Sequence, residues 1–327
     1  EGARPMRRAI SAFEIAASSR RSDSISLSFP SIILIIYISF DESSTNIENA
    51  HRKDFFGWFD LETRILNLTV DGTAVRLSCL QRSGTLAPLV CLHGFGSTKE
   101  DYADLALRPE FEGRPLIFWD APGCGQSELS DPNALSIPFL VEVALTACDA
   151  LGIERFHLSG RSMGGLTGLV LAHENPERVL SFFDIEGNIA PEDCFLSRQI
   201  VQHATDTPDV FARGFIDRVR QRPEYGSALY AATLPMKVQD TSYEPIFTCM
   251  VALSDTAPLM EMFTGLACPS AFIYGEQNRH LSYLGDLPNQ GIEVIEIPCS
   301  GHFPMYSNPA VLWSKMADFL RRHDPTR

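Results

Sequence analysis

Phe156-His157-Leu158-Ser159-Gly160-Arg161-Ser162-Met163-Gly164-Gly165-Leu166-Thr167-Gly168 is an apolar run that breaks at a glycine and presents one serine. It then continues into helix-forming residues, Leu169-Val170-Leu171-Ala172. A strand that turns directly into a helix around the pattern G-x-S-x-G is a nucleophile elbow. Glycines flank such a serine because its backbone is strained and a neighbouring Cβ would collide with the turn. The helix that starts after Ser162 points its first amides at the hydroxyl, where negative charge develops during acyl transfer. Ser162 is therefore the candidate nucleophile.

Working outward, further runs of the same kind flank the elbow. Leu89–Leu92, Leu116–Trp119 and Leu180–Phe183 are short continuous apolar stretches separated by helical ones, the mark of a parallel sheet covered on both faces. Two more follow after a long gap, Ala271–Tyr274 and Ile292–Ile297. Ahead of them, Ile65–Val70 and Ala74–Cys79 flank Asp71-Gly72, a hairpin signal. A last helix is expected around Val311 to Arg321. The fold class expected is α/β, a mostly parallel doubly wound sheet.

The gap between Pro191 and Leu266 carries amphipathic stretches broken by Pro223, Pro235, Pro245 and Pro258. It reads as a helical cap insertion over residues 191–265. Its Met and aromatic residues (Met236, Tyr243, Phe247, Met250, Met260, Met262, Phe263) suit an apolar pocket roof. The core is then formed by residues 54–190 and 266–327. Residues 1–53 are set apart as an N-terminal extension, disordered or targeting. There Arg4, Arg7, Arg8, Arg20 and Arg21 alternate with serines ahead of the apolar run Ile32–Ile38, which is well short of the ~20 residues a membrane span needs.

The chain has 327 residues, 45% of them hydrophobic and 21% charged, as in an ordinary globular protein with a sizeable core. Its formal net charge of −14 argues against nucleic acid or an anionic membrane as a partner bound by bulk electrostatics. Eight cysteines include no C-x-x-C pair, and several sit in apolar runs as small hydrophobes. They are read as reduced thiols, with a cytoplasmic location as the corresponding expectation. With no metal-ligand cluster and no phosphate-cradling loop, neither metal nor cofactor is expected.

A serine nucleophile needs a base, an acid behind it and donors for the oxyanion. His302, in Ser300-Gly301-His302-Phe303-Pro304 after the final strand run, has the right order and context, with His280 the competitor. His93, His157 and His173 lie in a turn, a strand and a helix that hold them elsewhere. The backbone amides of Met163, next to the nucleophile, and Phe95, in the turn His93-Gly94-Phe95-Gly96, are the candidate oxyanion donors. Arg161 is read as held by neighbouring loops, and Asp120 as an anchor of its own turn.

These stretches, with Asp120-Ala121-Pro122-Gly123-Cys124-Gly125-Gln126-Ser127, resemble the α/β-hydrolase superfamily, in the branch that begins its core with H-G-x. The match runs from about Phe55 to Phe319. The resemblance implies a cofactor-independent esterase, lipase, lactonase, peptidase or carbon–carbon bond hydrolase acting on a small molecule. The chain departs from the pattern at the acid. Asn278, in Gly275-Glu276-Gln277-Asn278, stands where the family usually has aspartate. Some members place the acid after the preceding strand, and here that segment is Asp184-Ile185-Glu186-Gly187-Asn188. Strand alternation points Asp184 and Glu186 the same way. Glu186 lies further out at the carboxyl edge and is the preferred acid, with Asp184 and Glu276 the alternatives. The expected activity is cleavage of an ester or lactone of an apolar small molecule by Ser162, His302 and Glu186, with hydrolysis of a carbon–carbon or amide bond on the same triad, or small-ligand binding without turnover, as the alternatives.

Overall fold

The computed structural model describes residues 61–325, so the extension over residues 1–53 lies outside the described part. Among the described residues nine strands form one sheet: β1 (Glu62–Val70), β2 (Thr73–Arg82), β3 (Leu89–Leu92), β4 (Leu116–Trp119), β5 (Glu128–Leu129), β6 (Phe156–Arg161), β7 (Val179–Ile185), β8 (Ser270–Gly275) and β9 (Glu293–Ile297). Their order is β1-β2-β4-β3-β6-β7-β8-β9, with β5 paired to β2. The first hairpin is antiparallel, closed by Asp71 at φ 48° and Gly72 at φ 79°, and β2 joins β4 antiparallel. From β4 to β9 every pairing is parallel. The four residues of β3 and of β4 are all buried, as continuous apolar runs in a two-sided sheet require.

Among the described residues nine α-helices accompany the sheet. They are α1 (Ile137–Ala150), α2 (Met163–Glu174), α3 (Gln199–Gln202), α4 (Pro208–Arg220), α5 (Ser227–Lys237), α6 (Tyr243–Thr256), α7 (Leu259–Thr264), α8 (Pro304–Ser307) and α9 (Pro309–His323). Local sequence sets their ends. The Ser136 hydroxyl accepts from the Phe139 amide to start α1, with Pro138 in its first turn. Asn308 likewise starts α9, which ends in Arg321, Arg322 and His323, cations placed at the negative end of the helix.

Successive β7 side chains show the two faces of the sheet. Phe182 meets Phe263 of α7 and lies beneath Gly168 of α2, whereas Phe183 meets Phe319 of α9. Helices α2 and α7 thus cover one face and α9 the other. The contact of Phe263 with Phe182 and Phe272 makes α7 part of the layer on the sheet. Phe263 is consequently core, and Met236 is 76% exposed, so neither roofs a pocket. Tyr243, Phe247, Phe211 and Phe215 do form one aromatic cluster inside the insertion.

Candidate active site

Five loops at the carboxyl ends of β3, β6, β7, β8 and β9 bring the site together, the edge where open α/β sheets gather their chemistry. Ser162 stands between β6 and α2 with φ 50° and ψ −117°, a conformation costly for a residue with a Cβ. Its amide donates to the Ile185 carbonyl at 3.0 Å, fastening the turn to β7. The flanking glycines are sterically required. A Cβ on Gly160 would lie 2.2 Å from the Gly164 carbonyl oxygen, and one on Gly164 would lie 2.2 Å from that of Leu92.

The His302 ring lies between Ser162 and Glu186. Its Nε2 is 3.2 Å from Ser162 Oγ and its Nδ1 is 2.8 Å from Glu186 Oε2. A carboxylate on Nδ1 fixes the tautomer with the proton there, leaving the Nε2 lone pair to accept from the serine. His302 is buried, with the Phe195 ring edge-on at 4.8 Å. Burial holds its pKa below the ordinary 6.5, and the Glu186 hydrogen bond opposes that shift.

Glu186 does not follow the alternation of β7. Its φ of 50° turns it out of the strand, which ends at Ile185. The expectation that Asp184 and Glu186 point the same way fails for this reason. Glu186 Oε1 accepts the Gly275 amide at 2.6 Å, and Oε2 accepts the Asn278 side-chain amide at 2.6 Å beside His302. Asp184 is fully buried against Gly165 and Gly187, accepts only the Gly187 amide at 3.1 Å, and leaves Oδ2 without a partner. Desolvation pushes its pKa well above the usual value. Glu276 instead accepts the Cys299 amide at 2.9 Å. Of the three candidate acids, only Glu186 is brought to His302. His280 is exposed, and His93 ties its own loop, accepting the Ala121 amide at 2.8 Å.

The turn after β3 lies against the nucleophile, since a Cβ on Gly94 would sit 3.1 Å from Ser162 Cβ. The amides of Phe95 and Met163 have no acceptor among the described residues. In Met163 this follows from its place in the first turn of α2, where amides lack intrahelical partners.

Arg161 is held by neighbouring loops, as its sequence reading has it. Only 1% exposed, it donates from Nε and Nη2 to the His302 carbonyl at 3.3 and 3.2 Å and from Nη1 to Ser97 Oγ at 3.1 Å. Its guanidinium lies 4.5 Å from the Phe303 ring centroid. Asn278 and Gly275, which donate to Glu186, were not among the candidate site residues. Asp120 anchors its turn as expected, accepting the Lys99 and Gln126 amides at 2.9 Å, and it also binds buried Lys99 Nζ at 2.8 Å.

A cavity of about 370 Å³ opens in the insertion among α3, α4 and α6, lined by residues that include Ile200, His203, Phe211, Tyr243 and Val251. Tyr243 also packs on Phe95, at 4.7 Å between ring centroids, so the same ring touches this cavity and the turn after β3. Among the described residues no cluster of side chains could hold a metal ion, and no helix is long and apolar enough to cross a membrane.

Residues 87–224 match a family model described as alpha/beta hydrolase fold. The chain is similar to a proline iminopeptidase of Clostridium botulinum, 31% identical over 102 residues, 31% of this chain and 35% of that protein. It is also similar to a 3-hydroxybutyrate-oligomer hydrolase of Cupriavidus necator, 27% identical over 68% of this chain and 84% of that protein. Among solved structures, a thermophilic esterase from Thermogutta terrifontis superposes with a TM-score of 0.62 at 19% identity, over 80% of this chain and all of that one. The chain spans only 35% to 42% of the length of several curated relatives that it matches at 31% to 34% identity. Sheet order, elbow and family match agree: this chain has the α/β-hydrolase fold.

Proposed function

We propose that the chain is a serine hydrolase that cleaves an ester or lactone of an apolar small molecule through an acyl-enzyme, with residues 191–265 as its cap. The observation that carries this reading is the continuous line from Ser162 Oγ through the His302 ring to Glu186 Oε2. His302 Nε2 takes the serine proton as Oγ attacks the carbonyl carbon. The imidazolium that forms is stabilised by Glu186, whose charge three donors hold in place. Negative charge on the carbonyl oxygen is met by the amides of Phe95 and Met163, each donor worth about a hundredfold or more in turnover. His302 then protonates the leaving alkoxide, and water attacks the acyl-enzyme by the same relay. The rings of Phe95 and Phe195 at the site suit an apolar acyl group.

The named activities of the relatives support hydrolysis as the reaction class, and the iminopeptidase favours an amide as the second reading. Neither a metal nor a cofactor has a part in this scheme. Eight free cysteines fit a reducing, cytoplasmic compartment. The test is turnover of short-acyl p-nitrophenyl esters and labelling by a fluorophosphonate. Wild type is expected to do both and Ser162→Ala neither, with an unchanged fold. Wild-type protein that does neither contradicts the proposal.

A further inference from the structure

Gly94 to Ser97 form a tight turn, with the Ser97 amide donating to the Gly94 carbonyl at 3.0 Å. Gly96 occupies its third position at φ 75°, the left-handed value that a type II turn demands there. Two hydrogen bonds hold the Phe95–Gly96 peptide from outside the turn, one of them from the Gly96 amide to the Cys124 sulfur. The hydroxyl of Tyr230, on α5, donates to the Phe95 carbonyl at 2.9 Å. The tyrosine lies flush on the turn, since a Cβ on Gly96 would fall 2.4 Å from its Cε2.

Tyr230 is fixed in turn. It is 1% exposed and its ring meets Phe303 at 4.5 Å. At the end of α5 the Lys237 carbonyl accepts the Gly125 amide at 2.8 Å, and Lys237 Nζ lies 3.1 Å from Asp101 Oδ1. Helix α5 is therefore a strut clamped to the core rather than a lid that swings. Burial raises the phenol pKa, so the hydroxyl remains a donor across the working pH range.

We propose that Tyr230 is a positioning residue for the oxyanion site. By anchoring the Phe95 carbonyl it fixes the position of the turn, and with it the Phe95 amide on the preceding peptide, relative to Ser162. The insertion is thereby required for stabilising the transition state as well as for enclosing substrate. This rests on the serine-hydrolase reading above.

The experiment compares full-length wild type with Tyr230→Phe, which keeps the ring packing and removes only the hydroxyl. The readouts are ester kinetics, inhibition by a trifluoromethyl ketone whose adduct with Ser162 carries an oxyanion, and inhibition by the matching alcohol, which forms none. In Tyr230→Phe, kcat and ketone affinity are expected to fall together by about tenfold or more. KM, the alcohol's affinity and the acid limb of the pH profile stay as in wild type. Leu234→Ala, which removes packing over the same turn but no hydrogen bond, is expected to keep ketone affinity within roughly threefold. Wild-type-like kcat in Tyr230→Phe overturns the proposal, as does an equal loss of alcohol affinity or an equal loss of ketone affinity in Leu234→Ala. Wild type inactive in every assay would instead refute the underlying hydrolase reading.

Discussion

The side-chain amide of Asn278 donates to Glu186 Oε2 at 2.6 Å, on the same oxygen that faces His302 Nδ1. With the acid carried at the end of β7, the position after β8 becomes a donor to it. An aspartate there would face Glu186 with a second negative charge, and two carboxylates sharing one site cannot both ionise freely. Asn278→Asp, although it restores the residue usual in the family, is therefore expected to lower kcat by about tenfold or more near neutral pH. Steady-state ester kinetics check this, and an unchanged or higher kcat would move the acid role to position 278.

The three carboxylates considered for the acid role separate by substitution. Glu186→Gln keeps shape but removes the charge that stabilises the imidazolium, and kcat should fall by about a thousandfold to ten-thousandfold. Asp184→Asn keeps the size of a side chain that bonds the Gly187 amide and does not touch His302, and should leave kcat within roughly threefold. Glu276→Gln, whose partner is the Cys299 amide, should do the same. Equal losses in Glu186→Gln and Asp184→Asn would contradict the assignment.

Burial lowers the His302 pKa, so the imidazole stays neutral and able to take a proton below the ordinary midpoint of 6.5. The sign follows directly. Activity is lost as pH falls through the folded-state pKa, so the acid limb of kcat/KM should have its midpoint below 6.5. Removing the Glu186 charge takes away the contribution that raises this pKa, and Glu186→Gln should shift the limb further down. A pH–rate profile with a midpoint above 6.5 would contradict the burial of the ring.

Ser162 holds its hydroxyl in place through a strained backbone at φ 50° and ψ −117°. Ser162→Gly relieves that strain whereas Ser162→Ala retains it, and both lack the nucleophile. The glycine variant should be more stable than the alanine variant by on the order of 1 kcal/mol, after the entropy cost of glycine. Thermal melts of the two inactive proteins check this, and equal or reversed melting temperatures would show that the elbow stores no strain.

How legible the fold was in the sequence follows from its pattern. Continuous apolar runs such as Leu89–Leu92 mark strands buried on both faces, and glycines at 160 and 164 mark a turn that tolerates no Cβ. The position of Glu186 was legible only in part. Period-two alternation holds inside a strand, and the left-handed φ at 186 ends it one residue after β7. The contacts that support the site were not legible. Arg161 reaches the His302 carbonyl across 141 positions and Tyr230 reaches the Phe95 carbonyl across 135, contacts that only tertiary packing creates.

The central claim is that Ser162 becomes acylated during turnover. Rapid mixing of wild-type protein with a short-acyl p-nitrophenyl ester, followed by acid quench and peptide mass mapping, tests it most directly. A burst of p-nitrophenol equal to the enzyme present, with the acyl mass on the peptide containing Ser162, is the expected result. Full turnover with the acyl group absent from Ser162, or carried by another residue, would contradict it.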